Sequence, residues 1–177
     1  MAHSPIEGLD DFYVGLLHPL FVPAHLLSVL TLGVLFAQQE VQRVQFAVIA
    51  FFVTLAAGLV STAMVPPVDV EIPLLLAAAL GGILVAAAVT MPVAALVVVG
   101  AAFGALLGLD SAQPQLAGAG QMAALLGTAI SASLSMMYAM VFAEWFSKRP
   151  WQRIGLRVAG SWAAASALLV LTLAFAR

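Results

Sequence analysis

The sequence predicts an all-α integral membrane protein, a bundle of six transmembrane helices with a kink in the first. Two properties of the composition predict the membrane location: 64% of the 177 residues are hydrophobic, and 8% are charged. A typical soluble domain has roughly 25% charged residues, so these few charges cannot cover a soluble surface. The third observation is the spacing of the polar stretches, which divides the chain into apolar segments long enough to cross a bilayer.

Each predicted span has the length of a membrane-crossing helix, which needs about 20 apolar residues. The polar stretch 38–43 separates the first two spans, and the second ends before Pro66 and Pro67. A long uncharged run follows, and we divide it into two short helices because Thr90 and Pro92 predict a tight turn. The spans form one transmembrane domain and cover residues 12–36, 44–64, 72–90, 92–109, 121–143 and 154–175.

The charges predict the orientation, because cytoplasmic loops collect Lys and Arg. With six spans, five of the six basic residues fall on one side: Arg43, Lys148, Arg149, Arg153 and Arg157. Arg177 falls on the other side, together with six of the eight acidic residues. We therefore expect a multi-pass protein of the bacterial inner membrane with both termini in the periplasm.

The composition also excludes several classes of function. A net charge of −2 argues against nucleic-acid binding, and the absence of cysteine excludes disulfides and thiolate metal sites. We do not expect an enzyme, since the apolar spans lack a carboxylate pair and a nucleophile with its base. We expect no permanently bound cofactor, because a haem with two histidine ligands normally draws them from two helices. All three histidines lie in the first span or near the N-terminus.

Small residues in the fourth span predict close helix packing. Gly100, Gly104 and Gly108 recur every four residues and form a strip where another backbone can approach. The neighbour on this strip is either another helix of the chain or a second subunit. Besides the lipid bilayer, a homo-oligomer or a larger membrane complex therefore stays open as a partner.

Hydroxyl groups in the fifth span share one helical face. Thr128, Ser131, Ser135 and Tyr138 follow one another at spacings of three, four and three residues. They either bond to preceding carbonyls and neighbouring helices, or they line a path for a solute. Ser28 of the first span joins them as a path-lining residue in the second interpretation.

The first span carries two histidines, which are candidate metal ligands. His18 and His25 face the same way but lie about 10 Å apart along an ideal helix. One ion can bind both only if the helix is broken, and Pro19 and Pro23 predict such a kink. The alternative is a pair of neutral imidazoles bonded to hydroxyls of neighbouring spans. His3 is a separate candidate, for Cu(II) or Ni(II) bound with the N-terminal amine.

The segment 15–27 of this span, with Gly33 and Gln38 after it, resembles the first helix of the HupE/UreJ family. These are small bacterial membrane proteins associated with hydrogenase and urease operons. They are regarded as nickel or cobalt permeases or as metal-handling accessory proteins. The length and the number of spans also fit the family, so the resemblance covers the whole chain.

The resemblance is incomplete at both family motifs. In the first motif His18, Pro19 and His25 match, whereas Val22 and Ala24 stand where the family carries Gly and Asp.

The second family motif is a His-Gly-x-Ala-His-Gly run that ends in Glu. Here Gly104 and Gly108 match and Asp110 stands for the Glu, but Phe103 and Leu107 replace the two histidines.

The resemblance implies a nickel- or cobalt-type permease or a metal-handling accessory protein of the inner membrane. His18 and His25 would be transient ligands for a nickel, cobalt or copper ion, with Asp110 as a third candidate. Because the second motif has lost its histidines, the alternative is a non-transporting membrane subunit or assembly factor that has lost the metal site.

Overall fold

The computed structural model describes residues 10–66 and 68–176. The described residues form seven α-helices and no β-strand. The helices are α1 (Asp11–Phe21), α2 (Pro23–Ala37), α3 (Val41–Thr62), α4 (Glu71–Ala87), α5 (Val93–Asp110), α6 (Gly118–Phe146) and α7 (Pro150–Phe175).

Four of these helices, α3, α5, α6 and α7, are long and apolar enough to cross a membrane. The pair α1 and α2 passes the same test as one span bent by 69°, which makes a fifth candidate. The third span of the sequence prediction corresponds to α4, an apolar helix of 17 residues. At 1.5 Å per residue α4 is about 26 Å long, slightly shorter than the hydrocarbon core of about 30 Å. The structure thus has four to five candidate spans, and the count of six stays a prediction.

The turn predicted between the third and fourth spans occupies residues 88–92, between α4 and α5. Ala88 ends α4 in the left-handed conformation, with φ of 52°. Gln39, from the α2–α3 loop, makes hydrogen bonds to this turn with both the nitrogen and the oxygen of its side-chain amide. Its Nε2 donates to the carbonyl of Val89 at 2.9 Å, and its Oε1 accepts from the N–H of Met91 at 3.0 Å.

The central helix of the bundle is α2. It contacts α4, α5, α6 and α7, while α3 packs against α5, α4 against α7, and α1 against α6. Nine of its 15 residues are buried, including Leu32 and Phe36 in the main hydrophobic core. A helix that is apolar on every face belongs in the interior of a bundle. Residues of α2 are therefore placed between several other helices.

The glycine strip of α5 is used within the chain. A Cβ added at Gly100, Gly104 or Gly108 would collide with a backbone carbonyl oxygen of α3. The missing side chains let the two helices touch backbone to backbone, as small-residue strips do in membranes. The neighbour that covers this strip is thus α3 of the same chain.

The two ends of the bundle carry different charges. The short loops after α2, α4 and α6 meet at one end, which we call the basic end because five basic residues lie there beside Glu40 and Glu144. The basic residues are Arg43, Lys148, Arg149, Arg153 and Arg157. The described charged residues of the opposite, acidic end are Asp10, Asp11, Asp69, Glu71 and Asp110.

Candidate functional site at the break in the first span

The first predicted span breaks at Val22, inside the stretch from Pro19 to Pro23 where the sequence predicts a kink. Val22 has an extended backbone, with φ of −88° and ψ of 113°. Pro23 is the first residue of α2, a position where a helix does not need the missing N–H. Pro19 lies inside α1 and does not break it. The bend is therefore produced by the residue before Pro23.

Pro19 has a different effect, which holds α1 against α6. Because proline lacks an N–H, the carbonyl of Gly15, four residues earlier, has no donor within its own helix. The hydroxyl of Thr128, on α6, donates to this carbonyl at 3.1 Å. A Cβ added at Gly15 would collide with the α6 backbone, and one at Gly127 with the α1 backbone. The two helices therefore cross in direct contact, one turn before His18.

The break brings the two histidines together. The ring centroids of His18 and His25 lie 4.9 Å apart, with the ring planes at 85°. His25 is fully buried. Its Nδ1 and the Nε2 of His18 are buried atoms without a hydrogen-bond partner among the described residues. Buried polar atoms are nearly always satisfied, so these two nitrogens, on rings with centroids 4.9 Å apart, are the candidate ligand-binding atoms.

Asp110 joins the histidine pair from the last residue of α5. Its Oδ2 lies 2.8 Å from the Nε2 of His25, and its side chain is 15% exposed. When the proton of His25 is on Nε2, the imidazole donates to the carboxylate and the Nδ1 lone pair is free. This is the arrangement in which a carboxylate orients a metal-binding histidine. We call His18, His25 and Asp110 the histidine–aspartate cluster.

The cluster is not a closed metal cage. Within residues 10–66 and 68–176, no group of three or more His, Asp and Glu side chains is arranged to hold a metal ion. The cluster instead offers two free ring nitrogens, with Asp110 bonded to the far side of one ring. The other candidate ligand, His3, lies outside the described residues.

The predicted path-lining residues lie in different environments. Ser28 is buried and donates to the carbonyl one turn earlier, at 2.7 Å. Thr128 bonds to α1, and Ser131 is buried in the bundle. Ser135 and Tyr138 line a mainly apolar groove on the surface, where Tyr138 is 71% exposed. The hydroxyl face of α6 thus extends from buried residues to the surface, and its side chains do not surround the histidine–aspartate cluster.

The α5–α6 loop, at the acidic end of the bundle, buries a polar residue that the sequence did not predict to be buried. Gln113, in the α5–α6 loop, is 3% exposed, and neither amide atom has a partner in the described part of the chain. An isolated Gln in a loop carries no sequence signal of burial. Asp11 also lies here, because a Cβ added at Gly120 would meet its carboxylate. A carboxylate beside the first turn of α6 is favourable, since helix N-termini carry partial positive charge.

A protein-family model described as HupE / UreJ protein matches residues 1–170 of the chain. The matched region contains the whole histidine–aspartate cluster. No curated protein and no solved structure matches the chain.

Proposed function

Because the chain belongs to the HupE/UreJ family, we propose that it is a membrane protein that handles a divalent ion of the nickel or cobalt class. The ion is its substrate, and the histidine–aspartate cluster is where it binds. One observation carries the proposal: the break at Val22 places two imidazoles 4.9 Å apart and leaves one nitrogen of each without a partner.

The donor atoms of the cluster suit these ions. Imidazole nitrogen is a good ligand for nickel, and it binds through the lone pair of a neutral ring. Asp110 accepts a hydrogen from His25 on the far side of the ring, which would direct Nδ1 towards the ion. The carboxylate also offsets part of the charge that a divalent ion brings into a low-dielectric region. Asp110, which stands for the Glu of the second family motif, would thus be the carboxylate of this site, since Ala24 stands where family members carry Asp.

The small number of ligands supports transient binding. Two protein nitrogens are few ligands for a divalent ion, so the ion can leave again. A transport site must bind strongly enough to admit the ion and weakly enough to release it. The acidic end also supports this role, because its carboxylates raise the local concentration of cations on the side of the bundle where Asp110 lies.

We propose that the acidic end faces the periplasm and the basic end the cytoplasm of a bacterial inner membrane. Counting the bent pair α1–α2 and the short α4 as one span each, the chain has six spans, with both termini outside. The chain has no cysteine, so single cysteines can report the orientation. In intact spheroplasts we expect Gln115→Cys to react with an impermeant maleimide and Lys148→Cys to react only after lysis. The reverse pattern would overturn this orientation.

The test of the metal site is nickel and cobalt uptake into cells that carry wild type, His25→Ala or Asp110→Asn. We expect no uptake above background with His25→Ala. Loss of a partner that orients a metal ligand typically lowers affinity about 10- to 100-fold, so we expect a matching rise in the half-saturating concentration for Asp110→Asn. Glu144→Gln changes an exposed carboxylate at the opposite, basic end and should behave like wild type. Equal uptake above background by wild type and His25→Ala would overturn the proposal.

Proteoliposomes of the purified protein separate a permease from an accessory protein. The replacement of the family's second histidine pair by Phe103 and Leu107 favours the non-transporting subunit or assembly factor, so all three roles need testing. Uptake by proteoliposomes supports a permease. Nickel bound on elemental analysis without uptake supports a metal-handling accessory protein. Neither binding nor uptake, together with a stable larger complex on native gels, would favour a non-transporting subunit.

A further inference from the structure

A cleft opens between α6 and α7 at the basic end. These helices follow one another in the chain but make few contacts, while α2 and α4 lie behind them. The cleft has a polar part of about 290 Å³ and an apolar part of about 260 Å³. Leu156 lines both parts, so they are adjacent.

Two arginines hold fixed positions in the polar part. Nε of Arg157 donates to the carbonyl of Ala86 at 2.7 Å, and Nε of Arg153 donates to the carbonyl of Ser147 at 3.0 Å. Neither guanidinium has a carboxylate partner among the described residues. The remaining N–H groups of a guanidinium match the oxygens of a phosphate group. The polar part therefore presents two oriented positive charges that the described part of the chain does not neutralise.

The apolar part extends from these arginines along the helices. Its walls come from α6 and α7 and its floor from α2 and α4, and the small residues of α7 leave it open towards the lipid. The lining includes Leu30, Val34, Phe142, Ala159, Gly160 and Ala163. A groove with this lining accommodates a flexible hydrocarbon chain.

We propose that the cleft binds one anionic phospholipid, with its phosphate at Arg153 and Arg157 and an acyl chain in the apolar part. The order of the two parts supports an amphiphile, because the charged part lies at the end of the bundle and the apolar part lies deeper. Trp145 and Trp151 are 68% and 59% exposed beside the loop at this end. Exposed tryptophans typically mark the level of the lipid headgroups.

A second copy of the chain is a poorer occupant. Binding of its own basic end would need carboxylates to meet the two arginines. The described carboxylates there are Glu40, which pairs with Arg43 at 2.9 Å, and Glu144. The basic end carries five basic residues against these two carboxylates, so two copies meeting there would repel each other, whereas a phosphodiester brings negative charge alone.

The experiment is native mass spectrometry of the full chain in mild detergent, titrated with phosphatidylglycerol or phosphatidylcholine of identical acyl chains. We expect tighter binding of phosphatidylglycerol. One arginine at a membrane surface typically changes affinity for an anionic lipid about fivefold, so Arg153→Gln with Arg157→Gln should weaken binding roughly 25-fold. Arg43→Gln removes a basic residue outside the cleft and should stay within about twofold of wild type. Equal affinity for the two lipids would overturn the proposal.

A second variant tests the apolar part without touching the arginines. Ala159 is exposed in the cleft, so Ala159→Phe fills the groove and should weaken binding of both lipids. Displacement of phosphatidylglycerol by millimolar inorganic phosphate, with no effect of Ala159→Phe, would mean that the site binds free phosphate and would overturn the proposal. Concentration-dependent dimers that Ala159→Phe abolishes, with no bound lipid, would assign the cleft to a second copy and also overturn it.

Discussion

Replacing Thr128 with valine tests how α1 is held against α6. The substitution removes the hydroxyl and keeps the shape of the side chain. Its partner, the carbonyl of Gly15, has no donor in its own helix because Pro19 lacks the N–H that would reach it. In Thr128→Val this carbonyl is buried and unpaired, so we expect the free energy of unfolding to fall.

The size of the effect follows from the burial of the bond. Thr128 is 0% exposed. Leaving a buried polar group unpaired costs about 1–3 kcal/mol, while interhelical hydrogen bonds in membrane proteins average about 0.6 kcal/mol and reach about 1.7. Because Gly15 has no alternative donor, we expect the upper part of the membrane range, about 1.5 kcal/mol, which is roughly a tenfold change in the unfolding equilibrium.

Two further variants isolate the cause. Thr31 is also buried, at 3% exposure, but its hydroxyl donates to carbonyls one turn earlier that already accept from the helix backbone. We expect Thr31→Val to cost less than about 0.5 kcal/mol. Pro19→Ala supplies an N–H for the carbonyl of Gly15. In the Pro19→Ala background, Thr128→Val should therefore cost no more than Thr31→Val.

The assay is reversible unfolding in mixed micelles of dodecyl maltoside and dodecyl sulfate, followed by far-UV circular dichroism. The quantity of interest is the difference between the cost of Thr128→Val with Pro19 and with Ala at that position. An equal cost in both backgrounds would refute the argument that the proline creates the need for the hydroxyl. A cost in wild type no larger than that of Thr31→Val would refute the importance of the bond itself.

Three further substitutions test the packing and the turn between α4 and α5. Gly104→Leu should push α5 away from α3 and lower the free energy of unfolding by about 3 kcal/mol or more. Gly155→Leu, where an added Cβ meets only a ring atom at 3.7 Å, should not lower the free energy of unfolding. Ala88→Gly should raise the melting temperature in detergent, because glycine adopts the left-handed conformation without strain. We expect a net rise of about 0.5 kcal/mol in the free energy of unfolding, and a lower melting temperature would contradict this. Gln39→Ala removes two hydrogen bonds from the turn and should lower the free energy of unfolding by about 1 kcal/mol. An unchanged unfolding midpoint would show that the turn is stable without these bonds.

Hydropathy and proline positions determined the helices and the break. In lipid a helix satisfies its own backbone hydrogen bonds, so long apolar runs have few alternatives. The turn between α4 and α5 and the bend at Val22 were predicted for the same kind of local reason, since proline removes a donor and restricts the residue before it. The glycine spacing in α5 predicted a close contact, although not which helix makes it.

The rotation of each helix could not be predicted in this way. A helix that is apolar on every side carries no signal of which face is inside. The spacing of Thr128 and Tyr138 placed them on one face, but tertiary packing buries the first and exposes the second. Only the choice of neighbouring helices decides where a face lies.

By itself, then, the sequence determined the class of protein, the approximate helix limits, the kinked first span and its two histidines, because these depend on local hydropathy and backbone donors. Only the tertiary structure decided what those histidines meet. His25 and Asp110 are 85 residues apart in the chain and 2.8 Å apart in space. Their contact depends on α5 ending beside the first turn of α2, and that depends on the glycine and alanine faces by which the helices select their neighbours. Such shape complementarity between distant segments has no counterpart in the local pattern of the sequence.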